Sequence, residues 1–263
     1  MKLRKPRLWI TIGAVLWAIF LVAAGTWSAR NGEPTVREQT TIVEALPTVD
    51  RAVAAVVTAA AGPRAVVGVG GYERTESACD AGNRTGERYH RVATVFVTPG
   101  TEGDLVDRVA AALPRDWDAL VRRGGDLHEL RADAGFYVRV TGSVVAPGEA
   151  RFTADTGCRI RGGTLPQPPA AGSPPSAADL LARLGVAGAG QASFAVRCAS
   201  RSELSAITVS APRPSGPLAG ALPAGVEPIV KREDLLVFTA GGVGYAVRLR
   251  AENVQVTAAS GCQ

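Results

Sequence analysis

The sequence has few of the residues from which most catalytic and metal sites are built. Only two histidines, His90 and His128, occur in 263 residues. For each of them a surface or half-buried position is a simpler interpretation than a role as general base or zinc ligand. Lys231 is the only lysine beyond residue 5, and Pro228 lies three residues before it. This excludes the Ser-x-x-Lys nucleophile found in some cell-envelope enzymes.

Several short motifs are also absent. No two cysteines have the C-x-x-C spacing of redox sites, cysteines and histidines do not cluster as zinc ligands, and no G-x-S-x-G motif occurs. The glycine runs at 68–71 and 241–244 precede strand-like sequence, whereas a phosphate cradle opens a helix. The sequence therefore predicts no catalytic, cofactor-binding or metal-binding residue.

The excess of positive charge is confined to one end of the chain. The formal charge is +5, from 29 Lys and Arg against 24 Asp and Glu, and four of the cations lie within the first seven residues. Without those four the chain is almost neutral. A nucleic-acid partner is not expected, because such proteins need a basic stripe on the folded surface.

An uncharged run follows this basic segment, from Leu8 to Trp27. At about 1.5 Å per residue it predicts a helix of about 30 Å, which matches the apolar core of a bilayer. The preceding cations place the N-terminus in the cytoplasm under the positive-inside rule. We expect a basic flank and single-pass membrane anchor at 1–30, with the remainder extracytoplasmic. A cleaved signal peptide, with Ala23-Ala24-Gly25 near the cleavage site, is the alternative.

The composition of the chain and this N-terminal pattern together resemble those of one class of bacterial protein. All but three of the 29 cations are arginine, and Ala, Gly and Val are abundant, as in a GC-rich coding sequence. The chain resembles the uncharacterised single-anchor exported proteins of high-GC Gram-positive bacteria. The resemblance implies export and a membrane location, and it brings no activity with it.

Short matches recur in the same order in the two halves of the chain, as in an internal duplication. Ala112-Leu113-Pro114 recurs as Ala221-Leu222-Pro223. The segments at 135–140 and 152–158 match those at 244–249 and 256–262. We expect two copies of one domain, at 31–161 and 177–263. The Pro/Gly-rich segment 162–176 is expected to be an extended linker between them.

Each copy is expected to contain helices packed on a mostly antiparallel sheet, which is an α+β fold. A helix, two strands, a short helix and three strands are predicted in that order. The helices of the first copy are expected at 50–60 and 102–113, and those of the second copy at 177–184 and 218–222. Alternating apolar and polar residues, as at 137–141, indicate a sheet with one buried face.

The four cysteines fall at equivalent places, two in each copy. Duplication selects one of the three pairings and predicts the disulfides Cys79–Cys158 and Cys198–Cys262. Such bonds persist outside the cytoplasm.

Three functions are considered for this architecture. The leading hypothesis is a membrane-anchored, extracytoplasmic interaction or scaffold module of the cell envelope. It would be non-catalytic, without cofactors, and would bind a protein partner. The second is a binder of a small ligand or envelope polymer, with Phe136, Tyr137 and Tyr245 as candidate contacts. For these three residues a core or half-buried strand position is the simpler interpretation. The third is a hydrolase that uses carboxylates. Asp116 with Asp118, and Glu233 with Asp234, are candidate pairs for it, although each pair is expected in a polar turn.

Overall fold

A computed structural model describes residues 5–31, 40–81, 84–125, 127–172, 175–188, 190–198 and 202–262. In the first helix, side chains are described for residues 12–27. Residues 1–4 of the predicted basic flank lie outside the described part. The α-helices within these ranges are α1 (Lys5–Asn31), α2 (Ile42–Ala60), α3 (Glu102–Ala112) and α4 (Ala178–Arg183).

The strands fall into two groups along the chain. The first unit contains β1 (Val66–Arg74), β2 (Cys79–Ala81), β3 (Arg84–Gly86), β4 (Tyr89–Phe96), β5 (Leu120–Gly124), β6 (Leu127–Asp133), β7 (Arg139–Ala146) and β8 (Glu149–Asp155). The second unit contains β9 (Gly190–Arg197), β10 (Glu203–Pro212), β11 (Pro228–Lys231), β12 (Leu235–Ala240), β13 (Val243–Leu249) and β14 (Asn253–Ser260).

Each unit forms one antiparallel sheet, and the two sheets have equivalent strand orders. The first is β1-β4-β8-β7-β6-β5 and the second is β9-β10-β14-β13-β12-β11. Strands β2 and β3 form a separate hairpin in the first unit. Two copies of one unit would have equivalent strand orders in this way.

The predicted α+β class is wrong, because the structure is mostly β. Strands account for 41% of it and helices for 26%. Two short edge strands, β5 and β11, were not expected from the sequence, so each unit ends in four strands rather than three. The helices of the second unit are also small: α4 has six residues, and the segment Leu218–Ala221 is a 3-10 turn.

The predicted N-terminal anchor also needs correction. Among the described residues, none of the helices combines the length and the apolar character that a bilayer crossing requires. The single-pass anchor, and the cell-membrane location with a cytoplasmic N-terminus that rested on it, are corrected on this finding.

Helix α2 begins earlier than the sequence predicts. Thr41 is its N-cap: the Glu44 backbone N–H donates to Thr41 Oγ1 (3.3 Å), and the Thr41 backbone N–H donates to Glu44 Oε2 (2.8 Å). With these reciprocal bonds the helix begins at Ile42, and Pro47 lies inside it. They also hold the pKa of Glu44 below its ordinary value, mainly because the Thr41 backbone and hydroxyl both donate to the carboxylate.

The two units share their core, so the second unit is not a separate body. The faces of the two sheets that carry no helix meet where Val66 and Phe96 pack against Val230, Leu235 and Val237. The predicted linker also joins the structure, because the Ala195 backbone N–H donates to Pro169 O (2.8 Å).

Both predicted disulfide pairings are confirmed. Cys79 is bonded to Cys158 and Cys198 to Cys262, with Cα–Cα distances of 5.9 and 5.8 Å. Each bond ties the region after the first strand of a unit to the end of its last strand. Closing loops of 79 and 64 residues stabilises the fold by about 4 kcal/mol per bond on chain-entropy grounds.

A buried arginine bridges the two units. Arg91, which is 1% exposed, forms an ion pair with Asp50 of α2 (2.8 Å). It also donates to Gly70 O on β1 (2.8 Å) and to Ala195 O on β9 (2.9 Å). Tyr72 donates its hydroxyl to the second carboxylate oxygen of Asp50 (2.6 Å). One guanidinium thus connects a helix and a strand of the first unit with an edge strand of the second.

Arg91→Met is expected to lower the free energy of unfolding by about 3 kcal/mol. It removes three charge-assisted hydrogen bonds and leaves the Asp50 carboxylate without its cation. Arg131→Met is the matched control, since Arg131 forms an exposed pair with Glu129 and its loss should cost less than about 1 kcal/mol. Urea unfolding of both variants measures the difference. Equal losses would contradict the bridging role of Arg91.

The hydroxyl of Tyr72 predicts a dependence of stability on pH. Burial, and then the hydrogen bond to Asp50, raise the pKa of Tyr72 above its ordinary value. A group whose pKa is raised on folding contributes stability below its unfolded pKa, about 10 for tyrosine, and that contribution is lost as the pH rises above it. The difference in unfolding free energy between the wild type and Tyr72→Phe should be constant to about pH 9 and shrink above pH 10. A difference that stays constant to pH 11 would contradict this.

Candidate functional site

The structure does not bring the two histidines together. His90 lies on β4, with Nε2 3.5 Å from Glu73 Oε2, and His128 lies on β6. Strands β8 and β7 separate β4 from β6 in the sheet. Within the described ranges, no group of three or more His, Cys, Asp or Glu is suited to hold a metal ion.

The carboxylates considered for catalysis lie in turns. Asp116 and Asp118 are exposed in the 3-10 turn that follows α3. Glu233 and Asp234 lie in the β11–β12 turn, where Arg232 donates two hydrogen bonds to Asp234 (2.9 and 2.6 Å). These bonds hold the pKa of Asp234 below its ordinary value. Arg232 and Asp234 thus form a surface ion pair within a tight turn.

The feature that stands out is a loop between β6 and β7, residues 134–138, which we call the aromatic loop. Its tip exposes two large aromatic side chains: Phe136 is 64% and Tyr137 is 51% exposed. Gly135, Phe136 and Tyr137 have φ values of +82°, +52° and +56°. Left-handed backbone is unusual for bulky residues and costs about 1–2 kcal/mol per residue. Such strain persists only where the surroundings enforce it.

The buried guanidinium of Arg159 enforces this conformation. Arg159 is fully buried. Its Nη2 donates to Phe136 O at the tip of the aromatic loop. Its Nε donates to Thr156 O (2.6 Å) at the end of β8, and its Nη1 donates to Thr40 O (3.5 Å) just before α2. Because a buried guanidinium needs acceptors, the position of Phe136 O is fixed from inside the protein.

Further hydrogen bonds close the base of the aromatic loop. The Ala134 N–H donates to Val138 O (2.8 Å), and the Gly135 N–H donates to Asp133 Oδ1 (2.9 Å). Arg51 of α2 donates to Ala134 O (3.2 Å). The backbone is therefore held by the sheet, by α2 and by the segment after β8, while Phe136 and Tyr137 project outward.

The second unit has a different loop at this place. Asp133 pairs with Arg139 across β6 and β7, and Thr239 pairs with Gly244 across β12 and β13. Residues 134–138 therefore correspond to residues 240–243, one residue fewer, with Gly241 and Gly242 at the tip. Two glycines adopt the left-handed backbone there (φ +58° and +78°) without strain.

This correspondence corrects the sequence comparison of 135–140 with 244–249. Arg139 pairs with Asp155 on β8, and Gly244 pairs with Ala259 on β14. Counting back from the last cysteine of each unit makes Asp155 equivalent to Ala259, so Arg139 is equivalent to Gly244. The match that begins at Gly135 was therefore four residues out of register. The extra residue of the aromatic loop was hidden by that error.

Tyr245, the third aromatic residue expected at a site, lies elsewhere. It is half-buried against the core of the second unit and stacks on Phe238, with ring centroids 5.2 Å apart. Burial, and then the charge of Asp179, raise the pKa of its hydroxyl. Of the three candidates, only Phe136 and Tyr137 are exposed next to each other in the chain.

Sequence reasoning named the two aromatic residues as candidate ligand contacts but favoured core or half-buried strand positions for them, and it missed Arg159. An arginine is normally assigned to the surface, and nothing in the local pattern indicates three carbonyl acceptors around it. The one available signal was its position directly after Cys158, whose disulfide fixes the backbone at that point.

Comparisons of the chain with protein-family models, with curated proteins and with solved structures found no significant match.

Proposed function

We propose that the protein is a non-catalytic interaction module of the cell envelope that binds a protein partner through the aromatic loop. The observation that carries the proposal is the pair of exposed aromatic residues held on strained, internally fixed backbone. The two disulfides support an oxidising location outside the cytoplasm, where such bonds persist.

The chemistry of the aromatic loop suits a contact hot spot. Binding hot spots are enriched in aromatic residues and arginine and bury them at the centre of the interface. Phe136 and Tyr137 offer two rings, each of which buries about 150–250 Å² when covered. Arg139, two residues after Tyr137 in the sequence, is also exposed.

The fixed backbone favours binding for a second reason. Ordering a flexible loop on association costs free energy, which a loop already held in one conformation does not lose again. Arg159 holds this loop in the free protein through Phe136 O. The strain is compensated by the fold, so the partner meets a ready-made surface.

Comparison of the two units supports specialisation of the first. The corresponding turn of the second unit has Gly241 and Gly242 at its tip and displays no aromatic side chain. The second unit covers the helix-free face of the first sheet, at Val66 and Phe96. We assign it the role of scaffold for the unit that carries the contact surface.

The shape of the surface favours a protein over a small ligand as the occupant. The rings of Phe136 and Tyr137 project from a loop tip, whereas small-ligand sites are concave and surround the ligand. A partner with its own apolar cleft would cover both rings. The candidate carboxylates and histidines lie apart, in exposed turns and on separate strands, which supports a non-catalytic role.

The test is crosslinking in living cells with tagged protein, followed by identification of what is recovered. The double variant Phe136→Ala/Tyr137→Ala should lower recovery of the partner by about tenfold or more, since each hot-spot ring contributes about 2 kcal/mol. Its free energy of unfolding should change by no more than about 0.5 kcal/mol, because both side chains are exposed.

Leu127→Ala is the matched control. Leu127 is 47% exposed at the opposite end of β6 and should leave recovery unchanged. Recovery of the same partner in equal yield from the wild type and the double variant would overturn the proposal.

A further inference from the structure

A groove lies between the two units, on the sheet faces that carry no helix. It has a volume of about 530 Å³, within the range of about 300–1,000 Å³ for small-molecule sites. Strands β1, β4 and β8 of the first unit form one side, and strands β10, β13 and β14 of the second form the other. Neither unit alone contains both sides.

Two of the three carboxylates in the groove face an arginine. Glu149 lies 2.6 Å from Arg248, a close ion pair whose geometry does not make it a hydrogen bond, and Asp155 lies 3.7 Å from Arg88. The third carboxylate, Glu73, lies 3.5 Å from His90 Nε2. Arg248 and Arg88 thus offset the charges of Glu149 and Asp155.

Two arginines in the groove have no such opposite charge. Arg151 of β8 and Arg250, which follows β13, both line it and are both exposed. Neither forms an ion pair with a carboxylate of the described residues. Arg151 lies opposite Thr94 on the neighbouring strand, with Thr153 next on the same face, so hydroxyl groups surround it. The groove therefore carries a local excess of positive charge, contributed by both units.

A third guanidinium has an unused donor. Arg88 Nε is buried and has no hydrogen-bond partner among the described residues. Its contact with Asp155 at 3.7 Å is too long for a hydrogen bond. Buried polar groups are almost always hydrogen-bonded, so this nitrogen is an exception among the described residues.

We propose that this groove binds a multivalent oxyanion, a ligand that carries two or more carboxylate or phosphate groups. Arg151 and Arg250 hold it from the two units, and Arg88, which also lines the groove and has a side chain that is 42% exposed, adds a third guanidinium. Guanidinium groups match the oxygen pairs of both anions. Thr153 and Gln255 supply neutral hydrogen-bonding groups along the groove. The site is independent of the aromatic loop.

Isothermal titration of the full chain with tripolyphosphate and with citrate tests the proposal. At least one of the two anions should bind, and its Kd should rise as salt is added, because both arginines are exposed. Arg151→Ala/Arg250→Ala should raise that Kd about tenfold or more. Arg183→Ala is the control, since it removes an exposed arginine of α4, outside the groove, and should leave the Kd unchanged.

The two anions separate the ligand classes. Binding of tripolyphosphate alone assigns a phosphate ligand, and binding of citrate alone assigns a carboxylate ligand. Either outcome supports the site if the double variant no longer binds that anion. No binding of either anion at millimolar concentration would overturn the proposal. Equal affinity in the wild type and in Arg151→Ala/Arg250→Ala would also overturn it. Thermal unfolding of the double variant shows that it remains folded.

Discussion

The buried guanidinium of Arg159 is the constraint on which the proposed function depends. A cation removed from water has to be surrounded by acceptors, and here they come from three segments that are far apart in sequence: Thr40 O, Phe136 O and Thr156 O. If the aromatic loop moved away, the buried guanidinium would lose the acceptor Phe136 O. That loss opposes the strain of left-handed backbone at Phe136 and Tyr137 and keeps the rings displayed.

The neighbouring covalent structure keeps this arginine in place. Cys158, directly before it, is bonded to Cys79. The Arg159 backbone exchanges hydrogen bonds with Glu87 (2.9 and 2.8 Å). The chain after β8 is thus anchored on both sides of the guanidinium. The second unit contributes through Arg91, whose hydrogen bond to Ala195 O ties β9 to the first unit. The Cys79–Cys158 disulfide and the buried Arg159 thus act together on the aromatic loop.

Short sequence patterns predicted those elements of the fold whose structure is set by residues close together in the chain. The position of α3, the second half of α2 and most strands followed from periodicity, and both disulfides followed from the duplication. Edge strands β5 and β11 are short, so the sequence patterns did not indicate them. Without these two strands, the mostly β class was not predicted either. The burial of Arg91 and Arg159 depends on carbonyl groups far away in sequence, which no local pattern encodes. The extra residue in the aromatic loop became visible only when strand pairing fixed the register of the two units.

Photo-crosslinking is the most direct test of the proposal that the aromatic loop binds a protein partner. A photoreactive phenylalanine analogue is placed at Tyr137 in one sample and at Leu127, at the other end of β6, in a second. We expect the analogue at position 137 to give a discrete crosslinked adduct with one partner in cells, and the analogue at position 127 to give none. The same pattern of adducts from both positions, or no adduct from either, would contradict it.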